Sequence, residues 1–462
     1  MNIRRSGAED DENGGLQSAK GRTVVMKILA VHNFHRAGSA SGDDQVFRSE
    51  TSLLEKYGHE VIRYTVSNDD FDNAGAAGKL RNAFGMLWSF KNYRGVRALI
   101  REKRPDVMHV HTFFPLLSPS VLYAARKENV PVVATLHDTR FVCPCATSLR
   151  GTALCNECSD GHYFRMCRYK CFKGSGFQSF IVALIFRYHR MRGSFYRQID
   201  RYICLNDNQI RLLTDAGFDK DKIVKKYNFV PASRGAAKGV PDTETAANGV
   251  PYAENAAKGA PDDITETASN VHKRKPAADG LPERYAVYYG RLGEEKGIRF
   301  LMKAWEDLDM PLVVMGAGPL EEAFREWADL RDNVFFLGFT EHEKCLGIVK
   351  GAEFVVFPSI CYEGCSMVQI EAMSLGKAII ATDLGFSKES VKEGYNGLKF
   401  PLGDKEAFIR SVKALWNDHG KCVLMGGNAR EEYRLKYTPE ENYKALMAVY
   451  ETAIGAKKGG GS

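Results

Sequence analysis

The chain has 462 residues, 44% of them apolar, and a formal net charge of +7. That length exceeds what one hydrophobic core usually serves, so two globular domains are expected. The modest positive charge allows a basic face without demanding nucleic acid, and no stretch approaches the roughly 20 apolar residues of a membrane span.

Residues 1–25 are acidic and polar, with no apolar core of a signal peptide. They are expected to be disordered and to leave the protein cytoplasmic. In that compartment the eleven cysteines read as thiols or metal ligands rather than disulfides. From Met26, apolar runs alternate with helical stretches: MKILAVH, GHEVIRYTV, PDVMHVHT, VPVVATLH, then Ile199–Cys204 and Lys222–Phe229. Alternation of this kind predicts an α/β domain over residues 26–232, a parallel sheet covered by helices. Composition then changes. Residues 233–282 carry a period of ten (AAKGVPDTET, AANGVPYAEN, AAKGAPDDIT) with few large apolar residues, which predicts a disordered tether. A second series, YAVYYG, PLVVMG, NVFFLG, EFVVFPS and KAIIAT, predicts a second doubly wound domain over 283–438. Residues 439–455 read as a helix whose Tyr443, Leu446, Met447 and Tyr450 share a face that packs back on the first domain. The tail, 456–462, is expected to be unstructured.

In open parallel sheets, ligands bind beyond the carboxyl ends of the strands. Four charged residues fall there: Arg291 and Lys296 in YYGRLGEEKG, Glu363 and Glu371 in YEGCSMVQIEAMSLG. Arginine offers a planar fork for phosphate oxygens and lysine a point charge. Two acids flanking the same ligand suit sugar hydroxyls. The small-residue turn Gly364, Cys365, Ser366, followed by Met367, lets backbone amides at a helix start approach phosphates. Together these features describe a nucleotide-sugar site. Gly316 and Gly318 in MGAGP mark a further strand-to-helix turn beside it, and no GxGxxG opens the domain as a dinucleotide site would require.

These motifs, GRL with EKG, then MGAGP, then two glutamates separated by seven residues, resemble the retaining glycosyltransferases of family 4, which have the GT-B fold of two Rossmann-like domains facing a cleft. The resemblance runs from Met26 to about Ile454, the insertion apart. It implies transfer of a hexosyl unit from a UDP- or GDP-sugar to a saccharide or lipid-linked saccharide in cell-surface glycan synthesis. It also implies donor-diphosphate binding by Arg291 and Lys296, and holding of donor sugar and ribose by Glu363 and Glu371. SGDD resembles the family's GGED turn: Gly42 and Asp44 match, Asp43 replaces a glutamate, and the loop is expected to face the cleft. His137, in TLHD at a strand end, is implied to border the donor sugar and join Glu363 in the chemistry. Asn228, in KKYNFV, matches a position near the interdomain hinge. Another GT-B chemistry, an epimerase or a phosphorylase, and a non-catalytic sugar-nucleotide sensor are the alternatives. His109 and His111 alternate along a strand and are expected to face opposite ways, neither with a metal role.

Six cysteines cluster between 143 and 171. Cys155, Cys158, Cys167 and Cys171 have the spacing of a tetrahedral thiolate site. Cys143 and Cys145 are alternates, and an iron–sulfur cluster is the other reading. A structural zinc would order the loop, and the resemblance implies that transfer itself needs no cofactor. Next comes an apolar stretch bearing Arg187, Arg190, Arg192 and Arg197. It is either a core helix with a basic solvated face or a segment lying on the inner face of an anionic membrane.

Overall fold

The computed structural model describes residues 25–35, 41–69, 85–151, 153–231 and 280–459. The expected N-terminal disordered segment, the ten-residue repeats and the end of the tail lie outside the described residues, save for Val25 and the edges of the last two spans.

The first half runs β1 (Lys27–Phe34), α1 (Gly42–Lys56), β2 (Glu60–Ser67), α2 (Phe90–Lys103), β3 (Val107–Thr112), α3 (Ser120–Lys127) and β4 (Val132–Leu136). A small hairpin follows, β5 (Leu149–Arg150) and β6 (Ala153–Leu154), then α4 (Arg165–Arg168), α5 (Gly176–Met191), α6 (Ser194–Arg197), β7 (Arg201–Cys204), α7 (Asp207–Asp215) and β8 (Ile223–Lys225). The second half runs β9 (Ala286–Tyr289), α8 (Ile298–Trp305), β10 (Leu312–Met315), α9 (Glu321–Ala328), β11 (Val334–Gly338), α10 (His342–Gly351), β12 (Phe354–Phe357) and α11 (Met367–Ser374). It ends with β13 (Ala378–Thr382), α12 (Ser387–Ser390), β14 (Gly397–Phe400), α13 (Lys405–Trp416), α14 (His419–Lys436) and α15 (Pro439–Gly459).

Two parallel six-stranded sheets result, ordered β2-β1-β3-β4-β7-β8 and β11-β10-β9-β12-β13-β14. The central strands β4, β9, β10, β12 and β13 are buried along their whole length, as helices on both faces require. The strand at Lys222–Phe229 is shorter than expected: only Ile223–Lys225 pairs. The residues after it leave the sheet and carry Lys226, Asn228 and Val230 into buried positions. In each sheet the strand order reverses next to the first strand, between β1 and β3 and between β9 and β12. A crevice opens at such a reversal, and the loops leaving those strands line it.

The C-terminal helix ties the halves together. α15 extends past the expected residue 455 to Gly459, with Lys457 Nζ 3.7 Å from Asp200. Leu446, Tyr450 and Ala453 join one apolar cluster with Ile28, Val107 and Ile203 of the first domain and Val287, Ile370 and Ile379 of the second. Tyr443 stacks on Tyr57 at 3.7 Å and hydrogen-bonds His59 Nε2 at 2.9 Å. Replacing Tyr443 by alanine removes both contacts. The expected cost is about 2–3 kcal/mol, measured by urea denaturation, with the first domain losing protection in hydrogen exchange.

Candidate functional site

The loops from the two reversal points meet across one cleft. After β9 the chain turns through Gly290 and Arg291, and a single 3-10 turn, residues 294–296, carries Lys296. After β12 a loop carries Ser359, Cys361 and Glu363 to Ser366, whose hydroxyl caps α11 by accepting from the Gln369 N–H. The Lys296 ammonium donates to Glu363 Oε1 at 2.6 Å, and the Ser359 hydroxyl donates to the same oxygen at 2.7 Å. Burial alone opposes ionisation of Glu363, but the Lys296 charge and these hydrogen bonds outweigh it and hold the carboxyl below the usual range. The cation expected on phosphate and the acid expected on sugar are thus in direct contact. Arg291 stands further out, its side chain 56% exposed, 3.4 Å from Glu295.

Glu371 has a different environment. It sits on α11 at 7% exposure, with His342 Nε2 3.7 Å from its carboxylate. Burial pushes its carboxyl up to about 7. A buried acid with so little compensation is where a ligand offering hydroxyl donors gains most.

Gly316 and Gly318 act on backbone shape. Gly316 has φ +142°, and a Cβ there would overlap the carbonyl of Gly290; one on Gly318 would press on Leu292 O. Their smallness lets the β9 and β10 loops close on each other, which holds Arg291's loop in place. Gly364 meets the other domain: a Cβ there would lie 2.8 Å from His137 O. Cys365 is buried against the backbone of Asn228, and the Asn228 side-chain oxygen is buried without a hydrogen-bond partner.

From the first domain come Gly42, Asp43 and His137. Gly42 opens α1 opposite Met367, whose Cγ would lie 4.0 Å from a Cβ at Gly42. Asp43 Oδ1 is 3.9 Å from His137 Nδ1. Asp44 does not join them. Its Oδ1 lies 2.8 Å from His32 Nε2, and both oxygens accept from the His35 backbone N–H, so it braces the turn instead of facing a ligand. A hollow of about 40 Å³ between the ends of β3 and β4 is lined by His111, His137, Asp138 and Arg140.

One expectation is corrected. His109 and His111 are both buried and both approach Glu50 Oε1, at 3.4 and 3.3 Å; residues two apart on a strand share a face. With Glu50 they are the one group among the described residues whose ligand atoms all lie within 4.8 Å. Lys226 Nζ, 2.6 Å from Glu50 Oε2, already supplies the compensating charge. The expected set Cys155, Cys158, Cys167 and Cys171 therefore does not converge to that spacing. All six thiols of the loop are unpaired by disulfides. On the basic helix, Arg190 Nη1 reaches the Tyr163 hydroxyl at 3.5 Å.

The sequence reading missed Asn206, Glu50 and Lys226. The Asn206 amide donates to the carbonyls of Glu363 (2.8 Å) and Gly364 (2.6 Å) from the other domain, while its side-chain oxygen caps α7. The signal was an asparagine at a strand end with a cap's spacing to Gln209. Glu50 shares a helix face with Val46, Phe47, Leu53 and Leu54, and an acid on an apolar face signals a buried partner.

Because its folded-state pKa lies above the ordinary 4.5, neutral Glu371 is favoured. That stabilisation is present below the unfolded value and lost as pH rises through about 7. Glu371→Gln is therefore expected to stabilise the unliganded protein by up to about 3 kcal/mol at about pH 8, and hardly at all near pH 4. Urea denaturation at the two pH values checks the sign.

Residues 45–234 match the family described as Glycosyltransferase Family 4, and residues 283–418 the family described as Glycosyl transferases group 1. The D-rhamnosyltransferase WbpZ of Pseudomonas aeruginosa is 30% identical over 162 residues, 34% of this chain and 42% of that protein. The O-antigen chain mannosyltransferase C of Escherichia coli is 25% identical over 200 residues, 42% of this chain and 53% of that protein. The chain spans about half the length of the curated relatives it matches. Among solved structures, HepE of Anabaena in complex with UDP superposes with a TM-score of 0.59 at 16% identity, over 92% of this chain and 100% of that one. Sucrose-phosphate synthase from Thermosynechococcus elongatus gives 0.63 at 18%, over 93% and 100%. The shared architecture is the GT-B fold. With two family matches that together take in more than half of its residues, one in each domain, the chain belongs to the family 4, group 1 glycosyltransferases.

Proposed function

We propose that the protein is a retaining glycosyltransferase that moves a hexosyl unit from a UDP- or GDP-sugar to a saccharide or lipid-linked saccharide acceptor in glycan synthesis. The observation that carries this reading is the Lys296–Glu363 contact at 2.6 Å, with buried Glu371 on the next helix and the His137 carbonyl packed against Gly364 from the other domain. HepE crystallised with UDP-glucose is consistent with a nucleotide-sugar in such a cleft.

In this reading Arg291 and Lys296 take the donor diphosphate, whose charge grows as the sugar departs. Lys296 then exchanges part of its contact with Glu363 for phosphate oxygens. That frees the carboxylate for hydroxyls of the transferred sugar. Glu371 takes the ribose hydroxyls, and the α11 start at Gly364, Cys365, Ser366 and Met367 presents amides to the phosphates. The acceptor hydroxyl attacks the anomeric carbon on the face the diphosphate is leaving. The bond from that carbon to the phosphate oxygen breaks, and the acceptor's proton passes to the departing phosphate. Configuration is retained without a covalent intermediate.

Arg291 is exposed and its removal leaves no buried charge unpaired, so Arg291→Ala isolates diphosphate binding from folding. It is expected to weaken UDP or GDP binding about tenfold or more with an unchanged melting temperature. Calorimetric titration and turnover across a panel of nucleotide-sugars check this; unchanged affinity and turnover would remove the diphosphate assignment.

Peripheral membrane contact is part of the proposal. Phe177, Phe180, Leu184, Tyr188 and Met191 are exposed along one face of α5, Phe177 at 75% and Met191 at 70%. Lys173, Arg187 and Arg192 are exposed around them. Apolar side chains framed by cations suit an anionic lipid surface, and no described helix is long and apolar enough to cross one. Phe177→Asp combined with Met191→Asp is expected to abolish co-sedimentation with anionic phospholipid vesicles and leave nucleotide binding intact.

A further inference from the structure

We infer that Glu50, acting through His111, sets which ring nitrogen of His137 carries hydrogen, and so makes the nitrogen facing the cleft a hydrogen-bond acceptor. Glu50 is a positioning residue: it lies behind His137, away from the cleft. The Glu50 and Lys226 side chains are each 1% exposed and joined at 2.6 Å. Oε2 is thus occupied, while buried Oε1 has no aligned hydrogen-bond partner. The two nitrogens nearest to it are His109 Nδ1 and His111 Nε2. His109 is already engaged at both ends, Nδ1 with the Tyr450 hydroxyl at 2.7 Å and Nε2 with the Thr135 hydroxyl at 2.8 Å. That leaves His111 Nε2 to supply the hydrogen that a buried acceptor takes.

The rest follows from donor and acceptor counting. A carboxylate oxygen only accepts, so His111 Nε2 carries hydrogen, and in the neutral ring its Nδ1 offers a lone pair. His111 Nδ1 is 3.1 Å from His137 Nε2, so His137 Nε2 donates to it. Burial holds His137 well below the usual imidazole range, so the ring carries only that one hydrogen. Its Nδ1, the atom 3.9 Å from Asp43 on the cleft side, is left as an acceptor for a sugar hydroxyl. The tautomer assignment stands on these contacts and on a neutral His137 ring; its consequence for turnover rests on the glycosyl-transfer reading.

The discriminating variant is Glu50→Gln. Lys226 can only donate, so the glutamine amide turns its oxygen to Lys226 and its NH₂ to the histidines. That reverses the relay: His111 Nε2 accepts, its Nδ1 donates, and His137 Nδ1 becomes protonated. Nitrogen NMR of histidine-labelled protein distinguishes protonated from unprotonated ring nitrogens. The expected result is His137 Nδ1 unprotonated in the wild type and protonated in Glu50→Gln, with turnover at saturating donor falling about tenfold or more while UDP affinity is kept. A wild-type His137 protonated at Nδ1 overturns the inference, even where the variant fails to fold. So does a folded variant whose His137 tautomer is unchanged. Reversal of the tautomer with unchanged turnover overturns the catalytic consequence and leaves the relay standing. Failure of the glycosyl-transfer reading shows separately, as a wild-type protein with the expected tautomer and no transfer from any nucleotide-sugar.

Discussion

One side chain brings the two halves of the site into register. The Asn206 amide donates to the carbonyls of Glu363 and Gly364, the residues that place the cleft acid and begin the approach to α11. Beside it, Gly364 packs so closely on the His137 carbonyl that a methyl group there would displace the domains. His137 and Glu363 therefore hold fixed positions although they belong to separate sheets. The wider seam rests on Glu389, which accepts from the Asp207 N–H at 2.6 Å and the Tyr227 hydroxyl at 2.9 Å. It is closed by α15, whose apolar face joins cores of both domains.

Within that frame the charges are arranged unequally. Lys296, Ser359 and Glu363 satisfy one another in the absence of ligand, so that part of the cleft is stable as it stands. Glu371 is buried with only a histidine nearby, and the protein bears the cost of its ionisation at neutral pH. Stability withheld at one residue and supplied at its neighbour is the arrangement expected of a binding surface. A ligand that donates hydroxyls to Glu371 and phosphate charge to Lys296 improves both environments.

Behind the cleft wall the first domain holds a second polar layer. Glu50 on α1, Lys226 after β8, His109 and His111 on β3, and Tyr450 from the end of the chain meet in one buried cluster. Such a cluster is costly unless its members pair, and nearly every member is paired here. α15 thereby does more than cover apolar surface: its Tyr450 hydroxyl fixes His109, and that leaves His111 to serve Glu50.

Much of this was legible along the chain. Continuous apolar runs marked the strands, and their alternation with helices implied parallel sheets. The placement of Arg291, Lys296, Glu363 and Glu371 after strands put them at the sheet edge where ligands bind. The sequence reading failed where one residue's meaning depends on a distant one. The Glu50–Lys226 and Asn206–Glu363 contacts span 176 and 157 residues, and local patterns carry no information about such pairings. It also failed where side-chain direction mattered: His109 and His111 share a face because the strand period is two, and Asp44 turns back to His32 because it braces its own loop. The sequence by itself determined the elements, their order and the charged residues at strand ends, since propensity and periodicity act over a few residues. Which of those residues meet across the cleft, which charge is compensated and which nitrogen faces the ligand were decided only by the tertiary structure. These depend on packing between the domains, and on the pairing that burial imposes on every polar group.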